Sequence, residues 1–203
     1  MIGILSYGLG NVSAFSNIYK KLGFECKLVE KLEDLIDIDK LILPGVGAFD
    51  YAMKCFDDSG LRREVERLVL VKKVPILGVC VGLQMMANSS DEGALSGLGW
   101  IDATVAKFDL ESLPEGYPLP HMGWNNLQVL NEDPLLEGLD NSKFYYLHSY
   151  YILPKNKEEV IGSAFYGKKF CCVVRKDNIC GMQCHPEKSH SHGIRFLKNF
   201  AEI

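Results

Sequence analysis

Three apolar, strand-like stretches in the first half of the chain each run into a glycine-containing loop, and helical stretches separate them. Residues 1–7 lead into SYGLGN, KLIL leads into PGVGAF, and PIL leads into GVCVG. After the first loop, GNVSAFSNIYKKLG carries Val12, Phe15, Ile18 and Leu22 at helical spacing, with Gly23 following as a stop. FECKLVE alternates as a strand, GLRREVERLVLVKK reads as a helix, and VGLQMMANS reads as the helix after the third loop. Parallel strands need crossover connections, so this alternation predicts a parallel sheet with helices on both faces.

The second half has a different rhythm. GWIDATVAKFD, NNLQVL, KFYYLHSYYIL, VIGSAFYG, KFCCVVR and ICGMQCH are strand-like and separated by short turns, which predicts antiparallel additions. A last helix is expected over about residues 190–202, with Ile194, Leu197, Phe200 and Ala201 on one face. No repeat, low-complexity run or linker interrupts residues 1–203. The expected fold is therefore one α/β domain with three layers, its central sheet mostly parallel with antiparallel strands added in the second half.

Composition removes several function classes. Lys and Arg number 22 against 26 Asp and Glu, and they do not cluster, so there is no nucleic-acid footprint. No stretch approaches the roughly 18 uninterrupted apolar residues of a membrane span. The opening MIGILSYGLGNV lacks a basic n-region and runs into glycines, so it reads as a first strand and not as a signal peptide. Seven cysteines without an export signal predict reduced thiols and a cytoplasmic location.

In open α/β sheets ligands bind at the carboxyl ends of the strands, where the three glycine-rich loops fall. GLGNVS could be a dinucleotide fingerprint, but Ser13 stands where the third glycine belongs and Glu30 is its only acidic support, so a plain strand-to-helix turn is preferred. The cluster CCVVRKDNICGMQCHPEKSHSH could suggest zinc. Asp177 and Asn178 read as a hairpin turn, which puts Cys180 and Cys184 in one strand, ~13 Å apart. Two thiolates on one zinc lie only about 4 Å apart. That pair is excluded, and Cys171, Cys172, Cys180 and Cys184 read as core residues.

Cys80 is different. Gly78-Val79-Cys80-Val81-Gly82 has the form of a strand-to-helix elbow, in which flanking glycines let the two arms approach and expose the central side chain. A cysteine there sits at a helix N-terminus, where thiolate is favoured. It needs a base. In QCHPEKS, His185 and Glu187 at i and i+2 of an extended segment project the same way, as a base and its orienter, though a surface His-Pro-Glu turn fits equally well. Oxyanion donors could come from the N–H of Val81 and from PGVG at residues 44–47, where a structural turn is the equal alternative.

Taken together and in this order, PGVGAF, GVCVGLQ, PHMGWN, HSYY and HPEKS resemble the class I glutamine amidotransferases, and more narrowly the glutaminase subunits of imidazole glycerol phosphate synthases. The likeness covers residue 2 to about residue 200. It implies that Cys80 forms a γ-glutamyl thioester, that His185 is the acid and base, and that Glu187 orients it. It also implies that Gln84, Ser149 and Tyr150 hold the substrate, that Val46 and Gly47 form the oxyanion strand, and that His121 and Trp124 face a partner. That partner would be a separate (β/α)8-barrel cyclase, which takes the ammonia and converts PRFAR to imidazole glycerol phosphate and AICAR. No metal or organic cofactor is implied.

Some positions depart from the family pattern: Val81 where leucine is expected, Ser6 where aspartate is expected, and the histidines at 190 and 192. They bear on which synthase is served, the alternative being a related subunit that supplies ammonia for amidating a bacterial surface sugar. Two other classes are less well matched. In a cysteine α/β-hydrolase the acid normally precedes the histidine, whereas Glu187 follows His185. A catalytically idle binding subunit would have lost a member of the triad.

Overall fold

The computed structural model of the chain describes residues 1–109, 111 and 114–203. Its first strand, β1 (Ile2–Leu5), is buried at every position. That is why it reads as a continuous apolar run, as a strand covered on both faces must. Asn11 then caps α1 (Val12–Leu22), its side chain accepting the N–H of Ala14. Gly23 closes the helix in the left-handed conformation, its N–H turned back on the last carbonyls. GLGNVS is thus a strand-to-helix turn.

Next come β2 (Cys26–Val29), β3 (Lys40–Gly45), α2 (Phe49–Asp58) and α3 (Arg62–Glu66), with α3 running into a π-helical turn over Arg67–Val71. The sequence pattern predicts a single helix across that last stretch and does not mark α2. They are followed by β4 (Ile76–Cys80), α4 (Val81–Met85), β5 (Ser89–Ser90), β6 (Ala103–Lys107), β7 (His121–Asn126) and β8 (Gln128–Val129). The chain ends with β9 (Lys143–His148), β10 (Tyr150–Pro154), β11 (Val160–Tyr166), β12 (Lys168–Lys176), β13 (Ile179–Met182) and α5 (His190–Glu202).

The main sheet has eight strands in the order β2-β1-β3-β4-β13-β12-β11-β8. The first five are parallel and the rest pair antiparallel, as the change of rhythm predicted. Helices flank it, α1 packing with α5 and α2 with α4. KFYYLHSYYIL is two strands, broken at Ser149: β9 pairs with β7, and β10 pairs with β6.

Two local expectations are corrected. The turn at Asp177 and Asn178 forms, but β13 ends at Met182, so Cys180 and Cys184 do not share one strand. All four cysteines of that region are nonetheless buried, and burial pushes Cys172 and Cys180 up to about 12. The His-Pro-Glu segment is a single 3₁₀ turn, Pro186–Lys188, and not an extended stretch. Proline pre-sets the first position of such a turn, which i, i+2 strand logic ignores.

Candidate active site

Three parallel strands end side by side at the cavity. Register pairs Gly45 of β3 with Cys80 of β4, and Met182 of β13 with Val79. Gln183 therefore follows β13 next to Cys80, and His185 lies two residues further on.

The elbow is held by close backbone approach. A Cβ on Gly82 would lie 1.9 Å from the carbonyl oxygen of Leu43, and one on Gly45 would lie 2.3 Å from the nitrogen of Gly82. Only glycine fits at those two crossings. Cys80 itself sits at φ 55° and ψ −113°, a conformation a non-glycine residue adopts only when its surroundings impose it. Behind the elbow, Tyr7 Oη donates to the carbonyl of Pro44 at 2.5 Å, so the first glycine-rich loop buttresses the β3 end.

His185 Nδ1 and Glu187 Oε1 are 2.9 Å apart, with both side chains 3% exposed. The turn is clamped from behind. His185 N–H donates to the carbonyl of Tyr145, Ser189 Oγ donates to the carbonyl of His185, and Tyr145 N–H donates to Ser189 Oγ. Burial alone would lower the His185 pKa strongly. The Cys80 sulfur and the Glu187 carboxylate oppose it through hydrogen bonds and charge, and together they raise it to about 10. The site favours the imidazolium form of His185 beside the Cys80 sulfur.

The cavity around Cys80 measures about 260 Å³. That is just below the roughly 300 Å³ at which pockets for drug-sized ligands begin, and it suits a molecule of amino-acid size. Val46, Gly47, Val81, Gln84, Ser149 and Tyr150 line it with Cys80 and His185, so the expected oxyanion and substrate residues share one cavity with two of the three expected catalytic residues, while Glu187 reaches it only through His185. The other pair separates. β7 alternates, leaving Trp124 47% exposed and burying His121 to 3%, so His121 does not face outward as expected. His190 stacks on Trp124 and His192 Nδ1 bonds the carbonyl of Lys143, so neither departure touches the cavity. Among the described residues, no group of three or more His, Cys, Asp or Glu is arranged to hold a metal ion.

Several residues of the site had gone unassigned. Gln183 is fully buried and bridges two of the expected ones: its Oε1 accepts from Gln84 Nε2 at 3.1 Å, and its Nε2 stands 3.9 Å from Cys80 Sγ. Its nearness to His185 in QCHPE was the available signal. His148, next to Ser149 in HSYY, also reaches the cavity. Glu92 brings a carboxylate to it, with Oε2 accepting the N–H of Phe49 at the start of α2. Asp50 holds the following backbone by accepting from Ala94 and Leu95. No local pattern announces Glu92, because α2 places it from more than forty residues away.

The chain matches the family described as Glutamine amidotransferase class-I over residues 4–203. It is 48% identical to "Imidazole glycerol phosphate synthase subunit HisH" of Bdellovibrio bacteriovorus and 47% identical to the subunit of the same name of Leptospira borgpetersenii. In both cases all of this chain and all of the relative are covered. A solved structure described as "Crystal structure of glutamine amidotransferase" superposes with a TM-score of 0.76 at 21% identity, over 100% of this chain and 99% of that one. "Structure of PurLQS from Thermotoga maritima" superposes with a TM-score of 0.74 at 17% identity, over 99% and 97%. At such identities the two structures speak for the fold alone.

Proposed function

The chain belongs to the glutamine amidotransferase class-I family, and from that premise we propose that it is the glutaminase subunit of an imidazole glycerol phosphate synthase in histidine biosynthesis. It hydrolyses glutamine to glutamate and ammonia, and the ammonia goes to a separate cyclase subunit. The observation that carries the reading is the constellation in one small cavity: a cysteine at a strained elbow and a buried histidine whose Nδ1 lies 2.9 Å from a carboxylate.

The chemistry follows from these positions. The Cys80 thiolate attacks the side-chain amide carbon of glutamine, and the carbonyl π electrons move onto oxygen. Backbone N–H groups of Val81 and of the Val46–Gly47 strand end are the donors for that oxyanion. His185, held as the imidazolium, gives its Nε2 proton to the departing nitrogen, ammonia leaves and the γ-glutamyl thioester remains. Water then attacks the thioester carbon while His185 takes its proton, and glutamate is released with the thiolate restored. Gln84, Ser149, Tyr150 and the Glu92 carboxylate, which suits an ammonium group, hold the amino-acid end.

The cyclase, a (β/α)8 barrel forming a heterodimer with this chain, would dock beside the cavity on the face bearing Met122, Trp124 and Leu147, all exposed. No helix among the described residues is long and apolar enough to cross a membrane, which accords with work in the cytoplasm.

The test is Cys80→Ala in complex with the cyclase. Glutamine-dependent synthesis of imidazole glycerol phosphate is expected to vanish while ammonia-dependent synthesis persists. Glutamate release retained by Cys80→Ala overturns the mechanism, and a wild-type complex that hydrolyses glutamine but makes no imidazole glycerol phosphate overturns the assignment to this synthase.

A further inference from the structure

Two hydrogen-bond chains meet at the carbonyl of Tyr150. It accepts from Gln84 Nε2 at 3.0 Å and from His148 Nδ1 at 2.8 Å. A carbonyl only accepts, so His148 carries its proton on Nδ1 and leaves Nε2 as an acceptor. That nitrogen is 3.2 Å from His121 Nδ1, which must be the donor, and His121 Nε2 is then an acceptor 3.3 Å from Asn125 Nδ2.

The far end of the chain gives the same direction independently. Asn125 Nδ2 also donates to the carbonyl of Phe165 at 2.7 Å, and Asn125 Oδ1 accepts the N–H of Asn126 at 2.8 Å. Two backbone groups of opposite character thus settle which end of that amide is nitrogen. Donors run from Asn125 through His121 and His148 to Tyr150 in one proton register. A further proton on either ring would set N–H against N–H. Both rings are buried, and His121 is stacked between Tyr146 and Tyr166 at centroid distances of 4.9 and 3.9 Å. Burial holds the pKa of His121 at about 4 and that of His148 at about 3, in keeping with neutral imidazoles.

Gln84 is fixed by the same carbonyl. Its two N–H groups go to the Tyr150 carbonyl and to Gln183 Oε1, so only its own carbonyl oxygen is left for the cavity. We propose that His148 and His121 are positioning residues: they lock the Tyr150 carbonyl, and with it the Gln84 amide, so that Gln84 Oε1 faces the substrate as an acceptor for its ammonium group. The kinetic consequence rests on the glutaminase reading, whereas the proton register does not.

The experiment is ¹⁵N NMR of the full chain labelled in histidine, with assignment by signals lost in His121→Asn and His148→Asn. Both rings are expected as Nδ1–H tautomers that do not titrate between pH 8 and about 5.5, well above their depressed pKa values. In the complex with the cyclase, His148→Phe is expected to raise the KM for glutamine about tenfold, the scale of one lost buried hydrogen bond, and to change kcat much less. His148→Asn, whose amide can still donate to Tyr150, is expected to recover most of that loss. An Nε2–H tautomer at His148 overturns the proposal, as does titration of either ring near pH 6.5, or a His148→Phe variant that loses kcat at unchanged KM. Should His148→Phe fail to fold, the wild-type tautomers decide. A wild-type chain without glutaminase activity would sink the functional reading and leave the tautomers as they are.

Discussion

At the scale of single residues, ionisation separates groups of the same type. Burial pushes the thiols of Cys171, Cys172, Cys180 and Cys184 upward and holds them neutral. Cys80 faces an imidazolium in an accessible cavity. Brief iodoacetamide treatment at pH 7 should therefore modify Cys80 while those four stay unlabelled, as read by peptide mass spectrometry. The histidines divide as well. His185 is raised, so the stability it contributes is complete below its unfolded pKa of about 6.5 and is lost as pH rises toward about 10. His121 and His148 are lowered, so their contribution is complete above about 6.5 and is lost as pH falls toward about 4 and about 3. Urea midpoints measured against pH should fall on both sides of neutrality, and His121→Asn should flatten the limb between about pH 6.5 and 4.5. Glu187→Gln removes a charge that raises His185, so it should lower kcat and move the alkaline limb of the pH–rate profile to lower pH.

At the scale of elements, the β4–α4 elbow and the β3 end form one unit because their backbones cross at glycines. Gly82→Ala would put a methyl group 1.9 Å from a carbonyl oxygen, with backbone on both sides. It should cost about 3 kcal/mol or more, the upper range for overpacking, and abolish glutaminase activity. Gly47 makes the useful contrast. It has φ 89° and nothing within 4 Å of a Cβ, so Gly47→Ala should cost only about 1–2 kcal/mol of backbone strain. Thermal unfolding of the two variants side by side checks the difference. The 3₁₀ turn after His185 shows the same economy. A Cβ on Gly193 would lie 1.8 Å from the carbonyl oxygen of Pro186, so the first turn of α5 seats directly on the turn that carries Glu187.

At the scale of the molecule, the chain just after β3 both lines the cavity and reaches solvent. Val46 is 38% exposed, and Gly47 adjoins it in the left-handed region, where rotating the Val46–Gly47 peptide costs least. Ammonia released without an acceptor is wasted, so hydrolysis should wait for a loaded partner. The isolated chain is accordingly expected to be a poor glutaminase, stimulated at least roughly 10²-fold by cyclase with bound nucleotide, the worth of one recovered oxyanion donor. Steady-state glutamate release with and without the partner measures this. Full activity of the chain alone would mean that the donor is already in place. Gly47→Pro, which lacks that N–H and cannot hold the positive φ of this position, should leave little to stimulate.

Local physics accounts for what the sequence determined by itself. Apolar runs ending in glycine announced β1, β3 and β4, helical spacing announced α1 and α5, and the G-x-C-x-G pattern singled out Cys80, because each depends on neighbours within a few residues. His185 and Glu187 were legible as a pair even though the turn joining them was misjudged, since adjacency in sequence kept them within reach in either conformation. Tertiary structure alone decided the rest. His121 looked like a surface residue until pairing with β9 set which face of β7 turns inward. Gln183 became a neighbour of Cys80 through the β4–β13 register, across more than a hundred residues of chain. Glu92 reached the cavity only because the N–H of Phe49, at the start of α2, holds its carboxylate. Strand register and helix docking are settled by total buried surface and by the pairing of every buried polar group. Those are sums over the whole fold that no short window of sequence contains.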